Sequence, residues 1–388
     1  MSAAIVVFVV LLGVAFLFAR LPGQAGLPPA AAIVLVGIAA GAMLPHALRI
    51  GLSPPVLALF LPALIFEAAW DIDASALRRA AVAIVLLAVP GVLLTAATIA
   101  GSAAFGAGMA PATAFALGAT LSATDPVAVL ALFRKLNVPV DLLTIVEGES
   151  IANDAVAVVL LGAIIAFSQP GNGMTLFGLV AKSAYVSGAG IVVGLLVGAL
   201  ATLILRRFQR SSVGILTTIA VAYGAYGIAS SIGGSGIFAS AAAGVALPAV
   251  ALGKIEQQTV DRFWDRSALI INGIVFLLVG LSLRLERIFD EPVLIGLTVL
   301  AAIAARAALA YLLVPLAGRR SASMGWRHAI ALAGLRGGLS LALALGLPQS
   351  FPGRAQIIDA VFAVVFLTIV VQGWALAPLL RRCQLQGT

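Results

Sequence analysis

Long apolar runs separated by short polar segments follow one another along the whole sequence. Each run has about the length that an α-helix needs to cross a bilayer, which is about 20 residues. The alternating pattern of a membrane β-barrel is absent, and lipid leaves helices as the only other spanning structure. The pattern predicts an all-α polytopic membrane protein with about thirteen transmembrane helices. We number these spans 1 to 13 in chain order; they lie at 2–19, 27–45, 53–72, 80–104, 110–133, 141–168, 175–205, 212–231, 236–252, 267–284, 292–317, 327–347 and 355–380.

The amino-acid composition agrees with this interpretation. Hydrophobic residues make up 62% of the 388 residues and charged residues 10%, whereas soluble domains average about 45–50% and about 25%. A soluble enzyme and a disordered scaffold are therefore excluded. The single cysteine, Cys383, excludes a disulfide framework. The first run has no basic segment before it and ends near Arg20, so we expect a retained helix rather than a signal peptide.

The basic residues are distributed unevenly between the two sets of connections. One alternating set carries 16 of the 23 Lys and Arg residues and the opposite set carries 4. By the positive-inside rule this places the C-terminus in the cytoplasm and, with thirteen spans, the N-terminus outside the cell membrane. The net charge of +8 is then a consequence of topology. We expect the basic loops to contact membrane lipid, and we expect no nucleic-acid partner.

A few ionisable residues lie inside the predicted spans, where each costs about 2.5–3.5 kcal/mol on insertion scales. Such residues are candidates for function because few are tolerated otherwise. Four of the five acids fall within thirty residues of each other. The full set comprises Glu67, Asp125, Glu147, Glu149, Asp154, Arg306 and Arg336.

Span 5 contains the run Ala123-Thr124-Asp125-Pro126. Pro126 has no amide hydrogen and disfavours helix for the residue before it, so we expect the helix to break at Asp125. Broken helices expose carbonyl groups and half-helix ends, which suit ion coordination where they line a cavity. A simple proline kink, with Asp125 as a helix cap, is the alternative.

Span 6 contains the run Glu147 to Asp154, with three acids in eight residues. Helical spacing puts Ser150 and Asp154 on one face, and places Asn153 next to Glu149. Hydroxyl, amide and carboxylate oxygens together suit a hard monovalent cation, and no Cys or His joins them to suggest a transition metal. A polar contact between helices is the alternative.

Span 12 carries Arg336 among three glycines, in the run Gly334-Leu335-Arg336-Gly337-Gly338. These glycines predict a second unwound helix, seven spans after the first, as inverted repeats would place it. A buried arginine needs an anion, and we expect a structural ion pair between Arg336 and Glu149, with Arg306 as the alternative partner of Glu149.

Four motifs resemble those of the NhaP/NHE-type monovalent cation/proton antiporters, and in particular the bacterial NhaP-like sodium/proton antiporters. They are TDPVAV at 124–129, EGESIAND at 147–154, FLLVGLSL at 276–283 and GLRGGLSLALAL at 334–345. The resemblance covers nearly the whole chain.

The resemblance implies a homodimer of thirteen-helix subunits with inverted repeats. Spans 1–3 and 8–10, at 1–72 and 212–284, would form the dimer-interface domain. Spans 4–6 and 11–13, at 79–168 and 292–381, would form the core ion-transport domain, in which the unwound spans 5 and 12 cross. Span 7, at 175–210, would link them.

The resemblance also implies a secondary active antiporter that exchanges Na⁺ or Li⁺ for H⁺ by alternating access, without a cofactor. Asp154 would bind cation and proton in turn. Its Na⁺ site would include Ser150 and Thr124, with Asp125 and Glu67 supplying or supporting further ligands. Asn153 stands where electrogenic relatives have a second Asp, which suggests one-for-one electroneutral exchange. A K⁺/H⁺ antiporter of the same fold is the alternative.

Two other classes of protein fit the sequence less well. A cation channel would build rings of ligands around an axis, whereas these carboxylates cluster within one chain. A membrane protease would need a histidine beside Ser235, which lies in a GxSG-like run. His328 is predicted on the opposite membrane face and His46 in a loop. We therefore do not expect an enzyme.

Overall fold

The computed structural model describes residues 29–43, 54–70, 72–168, 175–207, 211–247, 254–283, 286, 290–317 and 323–382. Every regular element within these residues is a helix, which confirms the predicted all-α class. Seven helices of this part are long and apolar enough to cross a membrane. Predicted span 1 lies outside the described residues, so the count of thirteen spans stays a prediction.

Fifteen α-helices make up the described chain. They are α1 (Pro29–Met43), α2 (Pro54–Trp70), α3 (Ala74–Gly101), α4 (Pro111–Thr120), α5 (Val127–Lys135), α6 (Val140–Phe167), α7 (Leu176–Arg207), α8 (Ser211–Ser231), α9 (Gly236–Ala246), α10 (Lys254–Ser282), α11 (Pro292–Ala308), α12 (Met324–Leu332), α13 (Gly338–Leu345), α14 (Arg354–Leu367) and α15 (Gly373–Arg382). Predicted spans 5 and 12 each correspond to two half-helices, α4 with α5 and α12 with α13.

Three π-helical turns extend or interrupt these helices. Ser102–Gly106 continues α3, Leu309–Leu313 continues α11, and Thr368–Gln372 joins α14 to α15 within span 13. A π turn accommodates one more residue per turn than an α-helix, and such turns occur frequently at functional sites.

Helix α10 begins thirteen residues before the apolar run that predicted it. Its first turns are amphipathic: Val260 and Trp264 are buried, whereas Arg262 and Asp265 are exposed. An apolar-run criterion does not detect such a segment because its mean polarity is that of a surface helix.

The chain divides into two compact units. The first comprises Met1–Leu57, Pro90–Pro139 and Asn272–Thr388, and the second comprises Ala58–Val89 and Val140–Ile271. The division predicted from the resemblance concerns which spans move together during transport, and it stays a prediction.

An aromatic cluster forms the core of the second unit. The ring of Phe66 lies 5.0 Å from that of Trp264 and 5.8 Å from that of Trp70, measured between centroids. The indole Nε1 of Trp70 donates to Asp261 at 2.7 Å, and that of Trp264 donates to Thr218 at 3.0 Å. Buried indoles need such acceptors, so these bonds fix α2, α8 and α10 together.

In the first unit, α1 and α10 approach through glycine. A Cβ on Gly37 would lie 2.5 Å from the carbonyl oxygen of Leu277, and a Cβ on Gly280 would overlap that of Val34. Only residues without a side chain permit this separation, which is how helices commonly gain contact in membranes.

Candidate functional site

Span 5 is interrupted where the sequence predicted. Helix α4 ends at Thr120, α5 begins at Val127, and the six residues between them are not helical. The Oδ1 atom of Asp125 accepts the backbone N–H of Val127 at 3.0 Å. The predicted break is therefore confirmed, and the side chain of Asp125 binds the first backbone amide of α5.

Span 12 is interrupted in the same way, and the two unwound segments cross. Helix α12 ends at Leu332 and α13 begins at Gly338. The backbone N–H of Asp125 donates to the carbonyl oxygen of Leu335 at 2.9 Å. The predicted crossing of spans 5 and 12 is confirmed by this bond.

The carboxylate of Asp125 lies against the first turn of α13. Gly337 is the N-terminal cap residue of α13, and a Cβ there would overlap Oδ2 of Asp125. Asp125 thus faces the N-terminal ends of both α5 and α13. These ends carry partial positive charge, which offsets part of the cost of burying the carboxylate.

Arg336 binds backbone carbonyl groups at the other half of the crossing. Its Nη1 atom donates to the carbonyls of Ser122 at 3.4 Å and Ala123 at 3.3 Å, just beyond the end of α4. The hydroxyl of Ser340 donates to the same carbonyl of Ala123 at 3.4 Å. Arg336 is only 1% exposed. Its positive charge therefore stabilises the negative C-terminal end of α4.

Arg306 has the corresponding role at the end of α12. Its Nε atom donates to the carbonyl of Ile330 at 2.9 Å. A Cβ on Gly334 would lie 2.7 Å from Cγ of Arg306, so the glycine leaves room for the side chain. Each of the two interrupted spans therefore has a buried arginine at the C-terminal end of its first half-helix.

Helix α6 carries the remaining acids. Glu147, Glu149, Ser150 and Asn153 are buried, and Asp154 is half-buried. The Nδ2 atom of Asn153 donates to Oε1 of Glu149 at 2.9 Å, which matches the predicted adjacency. This bond joins the side chains of Asn153 and Glu149, while Ser150 and Asp154 share the face predicted from their spacing.

The first unit brings Thr124, Asp125, Arg306 and Arg336 to the crossing. The second unit holds Glu67, Glu149, Ser150, Asn153 and Asp154. A single cation site that combines Thr124 and Asp125 with Ser150 and Asp154 stays a prediction, and so does the ion pair between Arg336 and Glu149.

Glu67 lies near the end of α2, three residues before Trp70, and it is half-buried. Its position in the helix is compatible with the role of a cation ligand and equally with that of an acid near the membrane surface. Its proposed support of the cation site stays a prediction.

Four polar residues near the crossing or in span 13 were not selected from the sequence. Ser340, Thr368 and Gln372 are uncharged, so a search for buried charges passes over them. Asp359 is the sixth residue of α14 and was absent from our set of intramembrane acids. The spacing of four residues between Arg336 and Ser340 was the one sequence feature that could have indicated a role for Ser340.

Comparison with known proteins identifies the family. The family model for the transmembrane sodium/hydrogen exchanger matches residues 5–382. The chain belongs to the sodium/hydrogen exchanger family. It is 34% identical to the Na(+)/H(+) antiporter ApNhaP of Aphanothece halophytica over 87% of this chain and 66% of that protein. It is 33% identical to the low-affinity Na(+)/H(+) antiporter NhaS1 of Synechocystis over 99% of this chain and 75% of that protein.

A solved structure has the same fold. The sodium proton antiporter MjNhaP1 from Methanocaldococcus jannaschii matches with a TM-score of 0.77 at 18% sequence identity, covering 100% of both chains. The exchanger family and this shared fold confirm the resemblance that the four sequence motifs indicated.

Proposed function

We propose that this exchanger family member transports Na⁺ or Li⁺ in exchange for H⁺, with Asp154 as the carboxylate that binds one or the other. The observation that carries the proposal is the placement of Ser150 and Asp154 on one face of α6. The antiporter names of the relatives support the same activity.

Competition for one carboxylate is sufficient for exchange. A bare carboxylate inside the membrane costs several kcal/mol, whereas a bound proton or cation removes most of that penalty. The occupied site therefore changes its side of access far more readily than the empty one. Each change carries either a cation or a proton, which couples the two fluxes.

The cation ligands that we propose come from hard oxygen donors. The hydroxyls of Ser150 and Thr124 and the carboxylate of Asp154 would contact Na⁺, as this ion prefers. Asp125 and Glu67 would support the site electrostatically or as ligands. Because the N–H of Val127 already donates to Asp125, we expect the side chain of Asp125 to be held more rigidly than that of Glu67.

We propose one-for-one, electroneutral exchange. Asn153 is an uncharged amide that binds Glu149, so it adds no titratable group beside Asp154. The Glu149–Arg336 pair that we expect would have a structural role and would carry no transported ion. Arg336→Ala should lower the yield of folded protein, because it exposes two carbonyls at the end of α4 and removes the expected partner of Glu149.

The decisive assay is dissipation of a pH gradient in proteoliposomes by added Na⁺, Li⁺ or K⁺. Valinomycin and K⁺ would clamp the voltage in the Na⁺ and Li⁺ experiments. We expect Na⁺- or Li⁺-driven proton movement that is lost in Asp154→Asn, and a rate that does not depend on the clamp. Exchange that survives in Asp154→Asn would refute the role of this carboxylate.

The same assay separates the alternatives. A response to K⁺ alone would make the protein a K⁺/H⁺ antiporter with the same mechanism. A cation channel would pass current without coupled proton movement. We also propose a homodimer in the cell inner membrane, which light scattering of the purified protein in detergent would test through its mass.

A further inference from the structure

We propose that two side chains of the π-helical turn Thr368–Gln372 in span 13 hold the unwound segment of span 12 by hydrogen bonds at two points, and we call this pair of bonds the clasp. We further propose that Thr368 and Gln372 are positioning residues for cation exchange. The role in exchange rests on the proposed function, whereas the clasp itself does not.

The first point of the clasp is Gln372. Its Nε2 atom donates to the carbonyl oxygen of Leu332 at 3.2 Å. Leu332 is the last residue of α12, where backbone carbonyls lose their partners within the helix. Gln372 therefore binds the chain at the point where span 12 unwinds.

The second point is Thr368. Its hydroxyl oxygen accepts the backbone N–H of Arg336 at 3.4 Å and donates to the carbonyl of Val365 at 3.0 Å. A hydroxyl that donates to its own helix has its lone pairs free to accept from outside. Arg336 lies two residues before α13 begins, so Thr368 binds the chain near the point where span 12 resumes its helix.

The two contact points have the same spacing in span 13 and in span 12. Thr368 and Gln372 lie four residues apart, and so do Leu332 and Arg336, in the reverse order. The turn between them is π-helical: the N–H of Gly373 reaches the carbonyl of Thr368, five residues back. This wider turn sets the directions of both side chains toward the unwound segment.

The clasped segment holds the proposed cation ligands of span 5. Leu335, between the two points, accepts the N–H of Asp125 through its carbonyl. The side chain of Arg336 binds the carbonyls of Ser122 and Ala123, the residues immediately before Thr124. A shift of the clasped segment would therefore move Thr124 and Asp125, and small displacements of ligands reduce the efficiency of a site steeply.

The position of Thr368 in its helix agrees with this role. Asp154 lies fourteen residues after Val140, the start of α6, and Thr368 lies fourteen residues after Arg354, the start of α14. In the predicted inverted repeat, spans 6 and 13 are equivalent. The position that carries the exchange carboxylate in one repeat thus carries a hydroxyl that orders backbone in the other.

The test compares isosteric variants with matched controls. Thr368→Val and Gln372→Met each remove one hydrogen bond to the unwound segment and preserve side-chain volume, and Thr368→Val also removes the bond to Val365. Thr368→Ser retains the hydroxyl. Thr298→Val is the control for a buried threonine in α11: this residue is 0% exposed, and in the described part of the chain its Oγ1 has no hydrogen-bond partner. Val371→Ala is the control for the turn, because Val371 is 59% exposed.

Two measurements are made on each variant. The first is hydrogen exchange of the amides of residues 333–337 in lipid nanodiscs, which tests the hydrogen bonds of the clasp independently of transport. We expect exchange roughly three- to tenfold faster in Thr368→Val and Gln372→Met, the factor that one lost hydrogen bond supplies. Unchanged protection would overturn the clasp whatever the transport result.

The second measurement is the KM for Na⁺ against Vmax in proteoliposomes. We expect KM to rise by a similar factor in the two isosteric variants, and Thr368→Ser and both controls to stay near wild type. A lower melting temperature with unchanged KM would mean a purely structural contact and would overturn the positioning role. Absence of exchange in the wild-type protein would instead refute the proposed function and leave the hydrogen-exchange result to decide the clasp.

Discussion

Gly337 is the position at which the crossing is most sensitive to a single methyl group. A Cβ at this residue would overlap Oδ2 of Asp125 and would lie 2.6 Å from Cγ of the same side chain. The backbone there has φ −142° and ψ −153°, an extended conformation that alanine adopts readily. The effect of Gly337→Ala is therefore steric and does not include backbone strain.

The magnitude follows from what must move. Because the overlap involves Oδ2, Cβ and Cγ of Asp125, its side chain has to move, and this movement disturbs the bond from Val127 N–H to Oδ1. Overpacking in a closed site costs about 1–3 kcal/mol, and loss of one hydrogen bond costs about 0.5–1.5 kcal/mol. We expect Gly337→Ala to destabilise the protein by about 2–4 kcal/mol and to impair cation exchange.

Thermal melting in detergent and exchange in proteoliposomes measure the two effects. The control is Gly296→Ala in α11, where a Cβ meets nothing within 4 Å; this change should stabilise by up to about 1 kcal/mol. Asp125→Gly removes the obstructing side chain together with its Cβ, so Gly337→Ala should cost less stability in that background than in the wild type, whereas in Asp125→Asn it should cost as much. Wild-type melting and exchange in Gly337→Ala would refute the close approach.

Three further predictions follow from other parts of the molecule. Arg306→Met should destabilise the protein by about 1–3 kcal/mol, because the carbonyl of Ile330 loses a charged donor; melting temperatures matching the wild type would contradict this. Cys383, the single cysteine, should react with a membrane-impermeant maleimide in inside-out vesicles and stay unlabelled in right-side-out ones, because the C-terminus is predicted in the cytoplasm. The side-chain and backbone hydrogen bonds from Ser75 lower the pKa of Asp73 below its usual value, so the stability they confer should be complete above about pH 4 and lost as the pH falls through the lowered pKa; a difference between wild type and Ser75→Ala that persists at pH 2 would argue against this linkage.

The sequence predicted the interruptions of the two spans because their causes are local. Pro126 cannot donate a helical hydrogen bond, and the glycines around Arg336 weaken the helix wherever the chain folds. The ionisable residues inside the predicted spans could also be identified from the sequence, because the free-energy cost of inserting each into the membrane can be estimated. Local sequence was enough to predict the two interruptions, whereas their crossing was implied by the resemblance to the NhaP/NHE-type antiporters.

The contacts of the buried arginines could not be derived in the same way. The carboxylate partner that we expected for Arg336 stays a prediction, whereas the bonds that Arg336 and Arg306 donate to backbone carbonyls at half-helix ends were not expected. Whether an arginine meets a carboxylate or a helix end depends on tertiary geometry, which residue spacing does not contain. The amphipathic start of α10 was missed because its charged residues interrupt any apolar run, and the π turn at Thr368–Gln372 was missed because it lies within an apolar run and carries no charge.

The crossing balances its charges by placing opposite side chains at equivalent positions. Asp125 lies two residues before α5, and Arg336 lies two residues before α13. Asp125 faces the positive ends of half-helices, whereas Arg336 faces the negative end of α4. Both side chains therefore face half-helix ends of opposite sign. In the exchange that we propose, the charge that a transported cation or proton neutralises is that of Asp154, so the exchange depends on one carboxylate rather than on the acidic cluster as a whole.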